Sequence, residues 1–307
     1  MKTPENELLK MDSNLQKCFE DKNFTPNESQ LKAIVSTDDP LFLTAGPGSG
    51  KTRVILWRTL NLIAFHDVRP DEIFLTTFTQ KAALQLKEGL QGLLSIASKY
   101  TNRPYDISEM YIGTLHSLCQ KLLSDRRFNS GSARGRRPVL MDEFDQYFFV
   151  SDNMADLLHS AGFEPDARHS MVDGYKAINS WFGMKLGVTS RVKCVQNCIS
   201  FFNRMCEEDY SDDDLERFRS KTVDEIEKSL FVMTKAYRGL LKSGKAERAD
   251  FSILQQHAFH HITKDENAGR IFKYVIVDEY QDTNRIQEKI YFALSSGTKK
   301  HLRGRGR

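Results

Sequence analysis

One glycine-rich segment constrains the fold of this chain more than any other. Residues 45–52 read AGPGSGKT; they follow the apolar run 41–45, which predicts a buried strand, and precede a helical pattern over 52–65. Gly48 and Gly50 allow backbone N–H groups to turn inward around phosphate oxygens. The start of the following helix also favours an anion. A strand, a loop of this form and a helix in succession therefore predict a phosphate-binding site.

Two side chains of this loop fit a magnesium-bound nucleoside triphosphate. Lys51 supplies a point charge for the β- and γ-phosphates, and Thr52 offers its hydroxyl to Mg²⁺. Ala45 stands where the strict pattern G-x-x-x-x-G-K-[ST] has its first glycine. The inward-turning backbone does not depend on that position. The loop residues predicted to bind the nucleotide are Ala45, Gly46, Pro47, Gly48, Ser49, Gly50, Lys51 and Thr52.

A second segment, far along the chain, ends in two carboxylates. The apolar run 274–277 is followed by Asp278 and Glu279, which places both at the carboxyl edge of a sheet, where ligands of such sheets bind. We expect Asp278 to hold Mg²⁺, through water, and Glu279 to orient and deprotonate the attacking water. The metal and Lys51 would stabilise charge on the transferred phosphoryl group. Alone, an Asp-Glu pair after an apolar run is usually a surface turn; the phosphate loop favours the catalytic interpretation.

Strand and helix patterns alternate in the first part of the chain. Further strands are predicted at 72–79 and 110–114, and helices follow at 81–94 and up to Leu123. This alternation predicts an α/β fold with a parallel sheet covered by helices on both faces. Helical patterns dominate from about 142 to 245. We therefore predict one α/β domain built from 1–128 and 246–307, interrupted by a mostly helical insertion at 129–245.

Three features of the insertion carry local predictions. Residues 129–138 are small, basic and poor in structure signals. The acidic run 207–214 reads as a solvated loop. Residues 222–225 have capping-box spacing, and they open a helix whose core-facing positions recur at spacings of three and four through Leu241. Two interpretations stay open for Arg134, Arg136 and Arg137: they contact DNA phosphates, or they belong to a solvated linker.

Composition sets broad limits. A net charge of +3 is too small to indicate nucleic acid by itself. The N-terminus is polar, without a secretory signal, and no apolar run approaches the length of a membrane span. We expect a cytoplasmic protein with reduced thiols. Cys194, Cys198 and Cys206 are close enough in sequence to hold a metal, but their spacing is not that of a zinc knuckle. The remaining cysteines are Cys18 and Cys119.

Five blocks of the sequence resemble, in order, motifs of the UvrD/Rep group of superfamily 1 DNA helicases. They are 25–30, TPNESQ (Q motif); 45–53, AGPGSGKTR (motif I, which adds Arg53); 77–83, TFTQKAA (motif Ia, usually TFTNKAA); 112–117, IGTLHS (GTFHS); and 278–284, DEYQDTN (DEFQDTN). Gln80, Leu115 and Tyr280 depart from the usual residues. The segment 249–254, ADFSIL, also resembles the LDFDDLL segment of that group. These matches extend over most of the chain.

The resemblance implies a RecA-like P-loop NTPase fold, ATP with Mg²⁺, and single-stranded DNA as partner. It implies that Gln30 reads the adenine edge and that Gln281 couples the state of the γ-phosphate to the DNA-binding loops. The residues that it implies for DNA contact are Phe78, Thr79, Thr114 and His116. Base stacking suits an aromatic face, and phosphate contacts suit hydroxyl and imidazole groups. Without the resemblance, the sequence would favour a core position for Phe78 and a capping or packing role for His116.

Members of this group have two motor domains with ATP between them, and this chain stops shortly after the DEYQDTN block. Its tail, SSGTKKHLRGRGR at 295–307, is unusual after a well-patterned helix. One hypothesis is that an extra nucleotide in an A-rich run at Lys299–Lys300 shifted the reading frame, because a choice of codons in the neighbouring frame gives KNIFVVGD, similar to the next strand of the group. The alternative is a natural basic terminus. The gene sequence at these codons distinguishes the two.

The sequence therefore supports an ATP-dependent DNA helicase or translocase, of which this chain carries the first motor domain. Alone, it is expected to bind nucleotide weakly and to turn over slowly, because arginines from the second motor domain contribute orders of magnitude to such rates. Two alternatives stay open. One is a truncated product that only binds nucleotide or DNA. The other is a P-loop ATPase that serves DNA repair or phage defence without unwinding.

Overall fold

The computed structural model describes residues 12–37, 40–44, 46, 48–128, 138–163, 170–185, 189–244, 246–264 and 268–296. The chain divides into two compact units. The first comprises Met1–Ser130, Ile262–Thr283 and Ile290–Arg307; the second comprises Gly131–His261 and Asn284–Lys289. Residues 246–261, which the sequence analysis grouped with the α/β domain, thus pack with the second unit. The inserted subdomain itself stays a prediction.

The first unit is built around a three-stranded parallel sheet, so a mostly helical α/β chain with a small parallel sheet is confirmed. Its elements are α1 (Ser13–Asp21), α2 (Glu28–Val35), α3 (Lys51–Phe65), β1 (Ile73–Thr77), α4 (Gln80–Thr101), β2 (Tyr111–Thr114), α5 (Leu115–Ser124) and a later strand, Tyr274–Val277. The order of the strands across the sheet is β2, β1 and then Tyr274–Val277. Long crossovers containing helices separate these strands in sequence, as parallel pairing requires.

Alternation along β1 sends its side chains to two different environments. Leu75 is paired with Ile112 and Ile276, and these three side chains pack into the core formed with α1 to α4. Phe74 faces the other way, where its ring lies 5.4 Å from that of Phe272. All five residues of β1 are buried, so neither face of this strand is solvated.

The predicted strand at 41–45 is wrong for its described residues, 41–44, which are not in a strand. Phe42 is 74% exposed and Leu41 is 42% exposed. Leu43 alone of the three apolar side chains here packs against the core. An apolar run indicates a preference for burial, but a strand also needs a neighbouring backbone to pair with, and residues 41–44 have no place in the ladder of the sheet. Ala45 lies outside the described residues.

The second unit is mainly helical. Its elements are β3 (Val139–Leu140), α6 (Glu143–Asp152), α7 (Met154–Ser160), α8 (Ser170–Trp181), α9 (Arg191–Glu207), α10 (Asp212–Lys221), α11 (Glu225–Lys242), β4 (Arg248–Ala249) and most of α12 (Phe251–Thr263). The strand Tyr274–Val277 is β5, and α13 (Arg285–Ser295) follows it, with residues in both units. Strands β3 and β4 form a short parallel pair.

A buried polar network lies inside the second unit. The hydroxyl of Tyr237 donates to Asp250 over 2.6 Å, and the amide of Gln146 donates to the same carboxylate over 3.0 Å. Asp250 is 2% exposed and also caps α12 through the backbone N–H of Ile253. These hydrogen bonds offset the free-energy cost of removing water from the buried carboxylate.

Two local predictions in this unit are corrected. Helix α11 is capped by Asp224, whose carboxylate accepts from the N–H groups of Ile226 and Glu227, and not by Thr222. An aspartate two residues further on is an equally good cap, and spacing alone did not separate the two. The acidic run 207–214 is not wholly a loop, since its last residues form the first turn of α10, where carboxylates are favourable.

Candidate ATP-binding edge of the sheet

The carboxyl ends of the three parallel strands meet in one row. Register pairs Thr77 with Thr114, and Thr76 with Val277. The pairing extends one step further, because the N–H of Asp278 donates to the carbonyl of Thr76 over 2.9 Å. Thr114, Thr77 and Asp278 therefore lie side by side, with side chains on the sheet face that also carries Leu75.

The phosphate loop has the backbone that its glycines allow. Gly48 has φ of +76° and Gly50 has φ of +84°. Gly50 is the N-cap of α3 and accepts from the N–H of Val54 over 3.0 Å, so Lys51 and Thr52 are the first two residues of the helix. Between the glycines, the N–H and hydroxyl of Ser49 both donate to the carbonyl of Gly46, over 3.3 and 2.6 Å. Pro47 and Ala45 lie outside the described residues.

The outer side of this loop is open. A Cβ atom built at Gly46 or Gly48 would meet no atom within 4 Å. Both residues are exposed, as are Ser49 and Thr52. The loop thus presents backbone at the N-terminal end of a 15-residue helix, a position at which N–H groups and the helix dipole both favour an anion.

Gln30 is tied to the phosphate loop. Its side-chain NH₂ donates to the carbonyl of Ser49 over 3.1 Å, and its carbonyl oxygen accepts from the backbone N–H of Asn27 over 3.1 Å. Asn27 completes a capping box by accepting from the N–H of Gln30 over 2.9 Å. The start of α2 therefore fixes this amide against the loop. The role of Gln30 with adenine stays a prediction.

Asp278 is the buried member of the carboxylate pair. It is 9% exposed, and the hydroxyl of Thr77 donates to it over 3.4 Å. Burial raises the pKa of Asp278 above its usual value, and the neighbouring Glu279 raises it further, while the Thr77 hydrogen bond and the positive charge of Lys51 act in the opposite direction. Lys51 therefore lies near enough to Asp278 to act on it electrostatically. Two segments more than 200 residues apart meet at this edge.

Glu279 has an unusual backbone. Its φ of +55° lies in the left-handed region, which costs a side chain other than glycine about 1–2 kcal/mol. The short helix Tyr280–Asp282 begins directly after it. The side-chain amide of Gln281 donates to the Glu279 carboxylate, and more weakly to Asp282 over 3.5 Å. This turn directs Glu279 and Gln281, both predicted to be catalytic, to one place.

The residues predicted to contact DNA follow β1 and β2 at the same edge. Phe78 is 67% exposed, so it is not a core residue. Thr79 caps α4 by accepting from the N–H of Ala82 over 3.1 Å. Thr114 is buried and caps α5 by accepting from the N–H of Ser117 over 3.4 Å. His116 is half-buried in the first turn of α5.

Three further residues near this edge have contacts relevant to the site. Arg53 is exposed and lies with its guanidinium 5.4 Å from the centre of the Phe24 ring. Phe42 was not among the predicted site residues; its ring lies edge-on to that of Tyr280 at 6.4 Å. Thr77 was not predicted as a partner of Asp278, and only the parallel register brings these two residues together. The Asn27–Gln30 capping box was not predicted either, although its spacing is visible in the sequence.

The five cysteines are all buried with free thiols. Cys194 and Cys198 hydrogen bond to each other, and Cys206 lies beside Arg238. Within the described parts of the chain, no cluster of three His, Cys, Asp or Glu side chains could hold a metal ion. Among the same residues, no helix combines the length and apolar character that crossing a bilayer requires.

Comparison with known proteins gives a consistent result. Residues 26–302 match the family described as UvrD/REP helicase N-terminal domain. The chain is 31% identical over 284 residues to the ATP-dependent DNA helicase SRS2 of Saccharomyces cerevisiae, which covers 90% of this chain and 22% of that protein. It is 29% identical to a probable DNA helicase II homologue of Mycoplasma capricolum, over 89% of this chain and 32% of the relative. It is 27% identical to the ATP-dependent DNA helicase PcrA of Bacillus subtilis, over 85% and 30%. The chain thus spans a third or less of the length of these relatives.

Proposed function

Because the chain belongs to the UvrD/REP helicase N-terminal domain family, we propose that it is the ATP-binding part of an ATP-dependent DNA helicase or translocase, which couples hydrolysis to movement along single-stranded DNA. The observation that carries this proposal is an open loop with left-handed Gly48 and Gly50 at the start of α3, in the same unit as the buried Asp278 at the carboxyl edge of the sheet. In this proposal the first unit is a RecA-like motor domain, and residues 129–245 are its helical insertion.

The described residues fit ATP and Mg²⁺. The open loop with left-handed glycines at 48 and 50 leaves room for phosphate oxygens next to backbone N–H groups. Thr52 and Asp278 carry the hydroxyl and carboxylate oxygens that Mg²⁺ prefers, and we propose them as its protein ligands. Bound there, Mg²⁺ would neutralise charge on the β- and γ-phosphates. Lys51 would add its own charge to the same phosphates.

The remaining residues of the edge have separate roles. Glu279 would orient a water molecule and take its proton, and Gln281, already bonded to Glu279, would respond to the γ-phosphate. Gln30, held between Asn27 and Ser49, would contact adenine. Arg53, at the start of the same helix as Lys51, would complete the nucleotide contacts.

For single-stranded DNA, the exposed ring of Phe78 is the proposed stacking platform. Thr79, Thr114 and His116 would contact phosphates, because they stand at the starts of α4 and α5, where anions are favoured. Since Thr79 and Thr114 already cap helices, we expect their role to be shared between capping and phosphate contact.

The proposal is tested by nucleotide binding to the 307-residue chain. Lys51→Ala should weaken binding of Mg·ATP by at least about tenfold, because it removes the positive charge proposed to bind the β- and γ-phosphates. Lys87→Ala, at an exposed position on α4, is the matched control and should leave binding unchanged. Equal affinities for Mg·ATP in all three proteins would contradict the proposal. Tight binding of nucleotide and DNA without any hydrolysis would favour a binding module instead.

A further inference from the structure

Thr77 occupies the position at which the two proposed functions of this edge meet. It is the last residue of β1 and is 4% exposed. On one side it is paired with Thr114, and on the other it lies beside Asp278. The next residue along the chain is the exposed Phe78. The side chain of Thr77 is too buried to contact DNA, so any role that it has must act through its neighbours in the sheet.

The hydroxyl of Thr77 is directed at the Asp278 carboxylate. It donates to Oδ2 over 3.4 Å, and the carboxylate also accepts from the backbone N–H of Glu279. These two donors, one at the end of β1 and the other just after β5, limit rotation of the carboxylate about its side-chain bonds. Because Thr77 is β-branched and lies in a strand, its own χ1 is restricted as well, which makes it a stiff support.

We propose that Thr77 is a positioning residue that holds the Asp278 carboxylate in the orientation needed for Mg²⁺. This inference rests on the proposed function, since it assigns a support to a ligand named there. Mg²⁺ demands near-ideal octahedral geometry, whereas Ca²⁺ accepts irregular geometry and variable coordination. Hydrogen-bond partners of metal ligands typically contribute about 10–100-fold to metal affinity. Loss of the Thr77 hydroxyl should therefore penalise Mg²⁺ more than Ca²⁺.

The experiment compares the affinity of the full chain for a non-hydrolysable ATP analogue in Mg²⁺ and in Ca²⁺, by calorimetry. Thr77→Val keeps the shape and removes the hydroxyl; it should weaken binding by about tenfold in Mg²⁺ and by less than about threefold in Ca²⁺. Thr77→Ser restores the donor and should bring the Mg²⁺ affinity back to within about threefold of the parent.

Thr76→Val is the matched control. Thr76 is the preceding residue, it is 1% exposed, and its side chain lies on the opposite face of the sheet. It should reproduce any general loss of sheet stability without changing the ratio of Mg²⁺ to Ca²⁺ affinities. Thermal unfolding of each variant, followed by circular dichroism, shows whether the sheet survives.

The outcomes separate this inference from the proposed function. If Thr77→Val binds the Mg²⁺ complex like the parent, or loses Mg²⁺ and Ca²⁺ affinity equally and Thr77→Ser does not recover, Thr77 is not a positioning residue. The proposed function would still stand in that case, provided that the parent chain binds Mg²⁺-nucleotide and that this binding depends on Lys51. If the parent chain shows no metal-dependent nucleotide binding, both proposals fail.

Discussion

Substitution of Glu279 should separate stability from activity, because its backbone and its side chain have opposite effects. The residue has φ of +55°, a conformation that costs a non-glycine residue about 1–2 kcal/mol. Glycine removes that cost but loses about 0.5–1 kcal/mol through its greater freedom in the unfolded chain. Glu279→Gly should therefore stabilise the protein by about 0.5–1 kcal/mol.

Such a gain corresponds to a rise in Tm of about 1–4 °C for a unit of this size. Thermal unfolding at neutral pH, monitored by circular dichroism, measures it. The same variant should hydrolyse ATP about 10²–10⁴-fold more slowly, because Glu279 is the proposed general base and such a group contributes that much. A single-turnover assay with excess protein measures the rate even if it is low.

Asn102→Gly is the matched control. Asn102 is exposed, has φ of +54° and ends helix α4. Asparagine tolerates the left-handed region better than glutamate, so this change should shift Tm little and leave hydrolysis unchanged. If Glu279→Gly is no more stable than Asn102→Gly, the left-handed conformation at 279 stores no strain and the argument from backbone energy is refuted.

Three other predictions follow from separate features. Phe78→Ala should weaken binding of single-stranded DNA by about 1–3 kcal/mol through lost base stacking, whereas Phe144→Ala, which removes another exposed ring, should not; fluorescence anisotropy with a labelled oligonucleotide measures both. The pKa of Asp250 is raised by burial above its ordinary 3.8, so the folded state holds this proton more tightly than the unfolded state, and the associated stability is present at low pH and is lost as pH rises through the folded pKa; urea unfolding across pH should show this loss in the parent chain and not in Asp250→Asn. Burial raises the pKa of Cys206 to about 12, so its thiol should resist alkylation near pH 8 in the native chain and react once urea unfolds it, as mass spectrometry would show.

Local patterns predicted most of the elements correctly and were wrong at one strand and at one helix cap. The helix after the phosphate loop, the strands at β1, β2 and β5, and the helix at α11 were all found from periodicity, and a parallel sheet followed from their alternation. The strand predicted at 41–45 is wrong over its described residues, because an apolar run occurs both in strands and in extended segments that lie against a core. The helix cap predicted at Thr222 is wrong, because Asp224 has the same capping chemistry two residues later.

The sequence by itself determined the family and the chemical identity of the site, because glycines, Lys51, Thr52 and the Asp278–Glu279 pair carry their chemistry wherever they lie. Only the tertiary structure decided which of them meet. Pairing in parallel strands joins residues distant in sequence, such as Thr77 and Asp278, and no local pattern encodes that register. Burial is decided in the same way: Phe78 is exposed and Asp278 is buried because of what packs around the strand ends, although both follow strands of similar apolar character.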